Sequence, residues 1–120
     1  MLFMVTSKSN RKKWRCRLLI YSGRPDPQWP IAETAVDEWL KICHDAPLAH
    51  DTVPDASALG YRGVIFYKGN EEYYYIFNGH IRYMEQEKSI LKQDEGRSLE
   101  RSILNTAPAP VQKLGVASFG

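Results

Sequence analysis

Residues 72–85 have the sequence EYYYIFNGHIRYME, two runs of β-prone residues on either side of Asn78-Gly79. Asparagine and glycine accept the two positive φ angles of a type I′ turn, so this stretch predicts a β-hairpin with a two-residue loop. The loop also fixes the register, because a slip of one residue would turn every side chain to the opposite face. The predicted cross-strand pairs are Phe77 with His80, Ile76 with Ile81, Tyr75 with Arg82, and Tyr74 with Tyr83.

This pairing sorts the side chains of the hairpin into two faces. Tyr74, Ile76, Ile81 and Tyr83 form an apolar face that we expect to lie beneath helices. The opposite face carries Tyr73, Tyr75, Phe77, His80, Arg82 and Met84. Its mixture of aromatic rings with histidine and arginine suits a binding surface for a base, a sugar or an acidic peptide. The alternative is that Tyr75 and Phe77 belong to the core and that His80 and Arg82 line its rim.

Four further segments have the periodicity of strands or helices. Alternating apolar residues predict a strand over 14–21, and β-prone residues predict another over 61–68. An apolar stripe with the spacing i, i+4, i+8 predicts a helix over 31–44. A second helix is predicted over 96–106, with Asp94 as a candidate cap.

The order of these elements, β-α-β-β-β-α, predicts an α+β fold: an antiparallel sheet of about four strands with two helices packed on one face. The proline-rich segments 22–30 and 45–60 are expected to be loops, and 86–93 has at most the pattern of a helical turn. The residues that we expect in the core are Trp39, Leu40, Ile76 and Ile81, together with the reduced thiols of Cys16 and Cys43.

The length of 120 residues, with 43% hydrophobic and 25% charged residues, is typical of one globular domain. We expect the domain to span 14–107, preceded by a flexible basic arm at 1–13 and followed by a C-terminal tail at 108–120. Pro108 and Pro110 are expected to end the second helix.

The net charge of +2 combines a basic N-terminal segment with an acidic body. From Leu18 onward the chain has ten basic and fourteen acidic residues, a net charge of −4. A basic arm attracts phosphate backbones or acidic surfaces, and it also serves as a solubilising leader. The basic residues of this segment are Lys8, Arg11, Lys12, Lys13, Arg15 and Arg17.

A second candidate contact is Arg24, within SGRPDPQW at 22–29. Arg24 precedes the predicted helix at 31–44, and helix N-termini attract anions. However, the segment lacks the repeated glycines of a phosphate cradle. The alternative is a structural turn made by its glycine and prolines, with Trp29 covering the end of the core.

The sequence contains no recognisable catalytic or metal-binding motif. There is no GxSxG nucleophile turn, and the spacing of Cys43, His44, His50 and Asp51 differs from that of zinc ligands. The alternative is that Cys43 faces the core and that both histidines are surface residues. We therefore expect no catalytic residue, no metal and no cofactor.

The sequence also lacks the signals of membrane insertion and secretion. No apolar stretch approaches the roughly 18 residues of a membrane-spanning helix. The apolar start, MLFMV, precedes the basic residues, which reverses the order of a secretory signal. Two cysteines do not make a disulfide framework. These features predict a soluble cytoplasmic protein without a membrane partner.

Three runs of the sequence resemble a known group of proteins. SGRPDPQW at 22–29, LGYRG at 59–63 and RSLERSIL at 97–104 are similar to runs in a small family of uncharacterised bacterial proteins that carry SGRPxPxW and LGYRG. The resemblance is confined to these segments. It implies a complete domain, and it implies neither an activity nor a catalytic residue.

Together these patterns favour a non-enzymatic binding or protein-interaction module. Its contacts with a protein or an acidic ligand would come from Tyr73, Tyr75, His80 and Arg82, and from Arg24. One alternative is a nucleic-acid-associated protein that uses the basic arm, which salt-dependent binding to DNA or RNA would indicate. Another is a small enzyme, which a pocket combining Arg24, His80 and an acidic residue would indicate.

Overall fold

The computed structural model of the protein describes residues 13–20, 25–50 and 60–119. Within them the strands are β1 (Trp14–Leu18), β2 (Gln28–Pro30), β3 (Val64–Lys68), β4 (Glu72–Phe77), β5 (His80–Glu85) and β6 (Lys88–Gln93). The helices are α1 (Glu33–Asp45), α2 (Ser98–Leu104) and α3 (Ala109–Phe119), with a 3-10 turn at Glu95–Arg97 before α2. The strands form one antiparallel sheet in the order β2-β1-β3-β4-β5-β6. The predicted α+β class is confirmed.

The hairpin of β4 and β5 has the predicted register. Asn78 and Gly79 have φ angles of 49° and 89°, both positive as a type I′ turn requires. All four expected cross-strand pairs form, from Phe77 opposite His80 at the turn to Tyr74 opposite Tyr83. The local turn chemistry therefore determines which side chains of the hairpin share a face.

Two strands lie in segments for which the sequence predicts none. β2 forms at the end of the proline-rich segment 22–30 and pairs with β1. β6 forms within 86–93, after a turn in which Gln86 and Glu87 have φ angles of 51° and 67°. Residues other than glycine and asparagine rarely adopt these angles, so this turn lacks the sequence signal of the preceding hairpin. The described sheet consequently has six strands instead of about four.

The two outer strands have protected edges. β2 is three residues long and ends in Pro30, which has no backbone N–H to offer. At the opposite edge the chain that follows α1 runs along β6. The N–H of Gln93 donates to the carbonyl of Pro47 (2.8 Å), and the N–H of Ala49 donates to the carbonyl of Leu91 (3.0 Å). This short stretch covers part of the edge of β6.

The C-terminal segment 108–120, predicted as a tail, contains helix α3. Pro108 and Pro110 lie at the start of this helix, where proline is tolerated because the first N–H groups of a helix have no intrahelical acceptor. The side chains of Val111 and Leu114 pack against the core. The described fold therefore has three α-helices, one more than predicted.

Helices cover one face of the sheet and build the hydrophobic core with it. The sheet contributes Trp14, Cys16, Leu18, Trp29, Val64, Phe66, Tyr74, Ile76, Ile81 and Tyr83, and the helices contribute Val36, Trp39, Cys43, Leu99, Ile103 and Leu104. The predicted burial of Trp39, Ile76 and Ile81 is confirmed. Leu40 is only partly buried, because the buried stripe of α1 runs through Val36, Trp39 and Cys43 and leaves Leu40 at its margin.

Gly63 allows β4 to approach the start of β3 closely. Its φ angle is 113°, and a Cβ at this position would lie 2.8 Å from the carbonyl oxygen of Ile76. Glycine alone combines that backbone angle with so little space. The carbonyl of Gly63 also accepts the N–H of Leu19 at 2.9 Å, which extends the contact between the chains of β1 and β3.

Replacing Trp39 by alanine is expected to lower the free energy of unfolding by about 3–5 kcal/mol, the range for truncating a large core aromatic. The indole is 4% exposed and its ring centroid lies 5.2 Å from that of Phe66. Urea unfolding measures the change. Met84→Ala serves as the control, because Met84 is 62% exposed. A loss below about 1 kcal/mol for Trp39→Ala would contradict the assigned core.

The thiols of Cys16 and Cys43 are expected to react slowly with Ellman's reagent in the native protein. Both are free and buried, as predicted. Burial raises the pKa of each to about 12, so little of the reactive thiolate is present near neutral pH. In denaturant both thiols should react at the rate of an unhindered cysteine. Rapid modification of the native protein would contradict the burial of these side chains.

Candidate functional site

The sheet face turned away from the helices carries the residues predicted for binding. We call it the Arg/Tyr face. It is defined by the strand residues that alternate, along each strand, with the residues that enter the hydrophobic core. The residues of the face are Arg15, Arg17, Gln28, Pro30, Ile65, Tyr67, Tyr73, Tyr75, Phe77, His80, Arg82, Met84, Ser89, Leu91 and Gln93. Tyr73, Tyr75 and Arg82 were predicted to share this face, and the register places them there.

Two residues of the basic N-terminal segment, both within the predicted strand 14–21, belong to this face as well. Arg15 and Arg17 lie in β1, where Arg15 is opposite Tyr67 and Arg17 is opposite Ile65 of β3. Trp14, Cys16 and Leu18 alternate with them and enter the core. The second half of the basic run is therefore part of the sheet, and Lys13 is exposed just before it.

Two arginines of the face lie over tyrosine rings. The Cζ of Arg82 is 5.2 Å from the ring centroid of Tyr75, and the Cζ of Arg17 is 5.1 Å from that of Tyr67. Both distances are within the range of cation–π attraction. The Nη2 of Arg17 also donates to the hydroxyl of Tyr67 at 3.4 Å. The planar guanidinium groups are thus held in position by the rings beneath them.

The charges of the face are of one sign. Among the strand residues that define it none is acidic, and Arg15, Arg17 and Arg82 form no ion pair with a carboxylate of the described residues. Within the described part of the chain, the Nε of Arg17 is also the one buried side-chain nitrogen or oxygen without a hydrogen-bond partner. No carboxylate of the described residues therefore compensates these three guanidinium charges.

The accessible part of the face is centred on Tyr73, Arg82 and Met84. Tyr73 is 51% exposed, and Arg82 is exposed beside it. Tyr75 is half-buried, with its hydroxyl donating to the carbonyl of Arg62 at 2.7 Å, and burial raises its pKa. His80 was expected to be accessible, but it is buried at the turn, where its Nδ1 lies 3.3 Å from the carbonyl oxygen of Asn78.

Four predicted contact residues lie outside the described residues. They are Lys8, Arg11, Lys12 and Arg24. The loop that contains Arg24 is described from Pro25 onward. There Asp26 accepts the N–H of Ile20 at 3.0 Å and lies 3.9 Å from a guanidinium nitrogen of Arg62. The roles of Lys8, Arg11, Lys12 and Arg24 in binding remain predictions.

A second polar cluster surrounds the carboxylate of Glu100, which is completely buried. Arg97 donates to it twice, from Nε at 3.0 Å and from Nη2 at 3.1 Å. The hydroxyl of Tyr61 and the backbone N–H of Asn78 also donate to it, the latter at 2.9 Å. Burial and the neighbouring carboxylate raise the pKa of Tyr61, and the hydrogen bonds to Glu100 raise the pKa of Arg97.

The neighbouring Asp94 completes the polar links around α2. Its carboxylate accepts the backbone N–H groups of Leu99 (2.8 Å) and Glu100 (3.0 Å), so it caps the helix as predicted. Burial raises the pKa of Asp94, which these hydrogen bonds partly offset. The described donors and acceptors of this cluster all belong to the fold itself. The cluster therefore has a structural role, because it links α2 to the hairpin turn and to the chain around Tyr61.

A shallow groove of ≈ 350 Å³ lies on the helical side, between the end of α1 and the start of α2. Its wall combines apolar Ile42 and Pro47 with charged Lys41, Asp45 and Glu95. The charges are of both signs, so the groove favours neither an anionic nor a cationic ligand. Gln93, at the end of β6, also lines it, so the groove borders the margin of the Arg/Tyr face but includes none of its arginines or tyrosines.

The described residues show no grouping for a metal ion. Cys43 is buried in the core, and the exposed His44 packs its ring against Tyr83 at 5.3 Å between centroids. Across residues 13–20, 25–50 and 60–119, no three histidine, cysteine or acidic side chains come together as ligands. None of the helices in that part of the chain has the length and apolar character needed to span a bilayer.

Comparison with protein-family models, with curated proteins and with solved structures finds no match for this chain. The three runs quoted for a resemblance are nevertheless neighbours in space. Asp26 of the first lies beside Arg62 of the second, and Tyr61 of the second bonds to Glu100 of the third. The second run therefore contacts both of the others, the first through Arg62 and the third through Tyr61.

Sequence reasoning missed two features of these sites. One is Tyr67, which the sequence predicts to lie in a strand but not in the candidate site, although the alternation of β3 places it beside Arg15 and Arg17. Glu100 follows Leu99 and precedes Ile103 at helical spacing, so it lies on the buried side of α2. That spacing was the available signal that its carboxylate would need partners inside the fold.

Replacing Glu100 by glutamine is expected to lower the free energy of unfolding by about 1.5–3 kcal/mol, the range for hydrogen bonds to a charged group. The amide cannot accept from all the present donors, and Arg97 loses its counter-charge. Urea unfolding measures the loss. Glu38→Gln, at an exposed position of α1, is the matched control. A loss no larger than that of the control would contradict the structural role of Glu100.

Proposed function

We propose that this domain is a binding module and that the Arg/Tyr face is its contact surface. The observation that carries the proposal is the grouping of Arg15, Arg17 and Arg82 among tyrosines on one face of the sheet, where no carboxylate of the described residues pairs with them. Uncompensated charge of one sign on a folded surface favours a ligand of the opposite sign. The ligand class is therefore anionic.

The aromatic residues support the same role. Exposed tyrosine is enriched at recognition surfaces because it offers a large apolar area with one polar tip. Tyr73 and Met84 are among the described large hydrophobic residues that are most exposed, and both belong to this face. A buried donor without an acceptor costs free energy. The Arg17 side chain would therefore gain a hydrogen bond if an anionic ligand drew it outward.

The proposal assigns no catalytic role to the face. His80, the one histidine among the strand residues that define the face, is buried at the hairpin turn. The enzymatic alternative requires Arg24 and His80 to share a pocket with an acidic residue, and Arg24 lies outside the described residues. A binding role accounts for the exposed Tyr73 and Arg82 without requiring a pocket, and the Glu100 cluster then has a structural role only.

The test is an NMR titration of the ¹⁵N-labelled chain with two anionic probes, polyglutamate and an oligothymidylate. At least one probe is expected to shift the resonances of Arg17, Tyr73 and Arg82, and to leave Lys41 on the helical side unmoved. Replacing Arg15 and Arg82 by glutamine should weaken that binding, whereas Lys41→Gln with Lys113→Gln removes the same charge elsewhere and should not. Shifts confined to the helical side, or the absence of binding by both probes, would contradict the proposal.

A further inference from the structure

We infer that the ligand of the Arg/Tyr face is a single-stranded nucleic acid, held by phosphate contacts to arginines and by base stacking on tyrosine. This inference rests on the proposed binding role of the face and adds the class of ligand.

The basic and the aromatic residues of the face occupy different strands of the sheet. The aromatic residues Tyr67, Tyr73 and Tyr75 lie on the central strands β3 and β4. Arginines flank them on both sides, Arg15 and Arg17 on β1 and Arg82 on β5. An aromatic strip therefore runs between two positively charged borders.

The spacing of the borders suits an extended polynucleotide. Arg17, Ile65, Tyr75 and Arg82 form one row of directly opposed residues across four strands. The Cα atoms of Arg17 and Arg82 are thus three strand spacings apart, or about 14 Å. Different phosphates of one extended strand that crosses the face can contact the two borders while bases lie over the strip between them.

Stacking platforms are available on the strip. Tyr73 is 51% exposed, and the guanidinium groups of Arg17 and Arg82 lie over tyrosine rings, with Arg82 the exposed one of the two. Bases stack both on aromatic rings and on guanidinium planes. Because every base has such a face, this mode of binding is tolerant of sequence.

A duplex and an acidic peptide fit the face less well. The base faces of a duplex are stacked within the helix, so Tyr73 could not contact them. An acidic peptide would use the arginines but give the aromatic strip no partner. Lys13, exposed directly before β1, adds further positive charge for a phosphate backbone.

The test measures fluorescence anisotropy of the full chain with four labelled 20-residue probes: oligothymidylate, oligouridylate, a mixed-sequence duplex and polyglutamate. The two single strands are expected to bind alike, since neither stacking nor phosphate pairing involves the 2′ position, and to bind more tightly than the other probes. Tyr73→Ala should weaken oligothymidylate binding about fivefold or more. Leu48→Ala, which shortens an exposed side chain outside the face, should leave binding unchanged.

The arginines are tested through salt dependence. Replacing Arg82 by glutamine should reduce the slope of log affinity against log salt by about 0.7, the value for one phosphate contact on a single strand. Lys41→Gln should leave the slope unchanged, and thermal melting checks that each variant is folded. Equal or tighter binding of the duplex, or no effect of Tyr73→Ala, would overturn the inference.

The outcome with polyglutamate separates the two proposals. If polyglutamate binds the Arg/Tyr face as tightly as oligothymidylate, the inference about nucleic acid is wrong and the binding role of the face stands. If none of the probes binds there, both proposals are wrong.

Discussion

The buried carboxylate of Glu100 is the point at which the separate parts of the fold are joined. It accepts hydrogen bonds from the hairpin turn at Asn78, from Tyr61 before β3, and from Arg97 at the start of α2. A carboxylate removed from water without partners costs several kcal/mol, so these contacts are required together. The turn that sets the register of the sheet is thus tied directly to a helix that covers it.

Local chemistry made the central hairpin predictable from the sequence. Asn78-Gly79 specifies one turn geometry, and the cross-strand pairs follow from it. β6 was not predictable in the same way, because Gln86 and Glu87 adopt positive φ angles without the residues that favour them. Pairing with β5, through the full length of six residues, holds that turn in place. Tertiary contact, not turn propensity, determines this part of the chain.

The candidate site was predicted in part. The faces of β4 and β5 place Tyr73, Tyr75 and Arg82 together by local pairing. The addition of Arg15 and Arg17 depends on the pairing of β1 with β3, about fifty residues later in the chain, and no local pattern encodes that register. The contacts of Glu100 were likewise not predictable from a local pattern, because its partners come from three separate segments of the chain.

The edges of the sheet limit how the protein can be recognised. Exposed strands offer unpaired N–H and C=O groups to any extended chain, and this is the usual route of strand addition and of edge-to-edge aggregation. A three-residue edge ending in proline leaves little backbone to template a partner, and the stretch from Pro47 to Ala49 occupies part of the other edge. Within the described residues both edges therefore offer little free backbone for an added strand, and the broad face of the sheet is the larger surface open to contact.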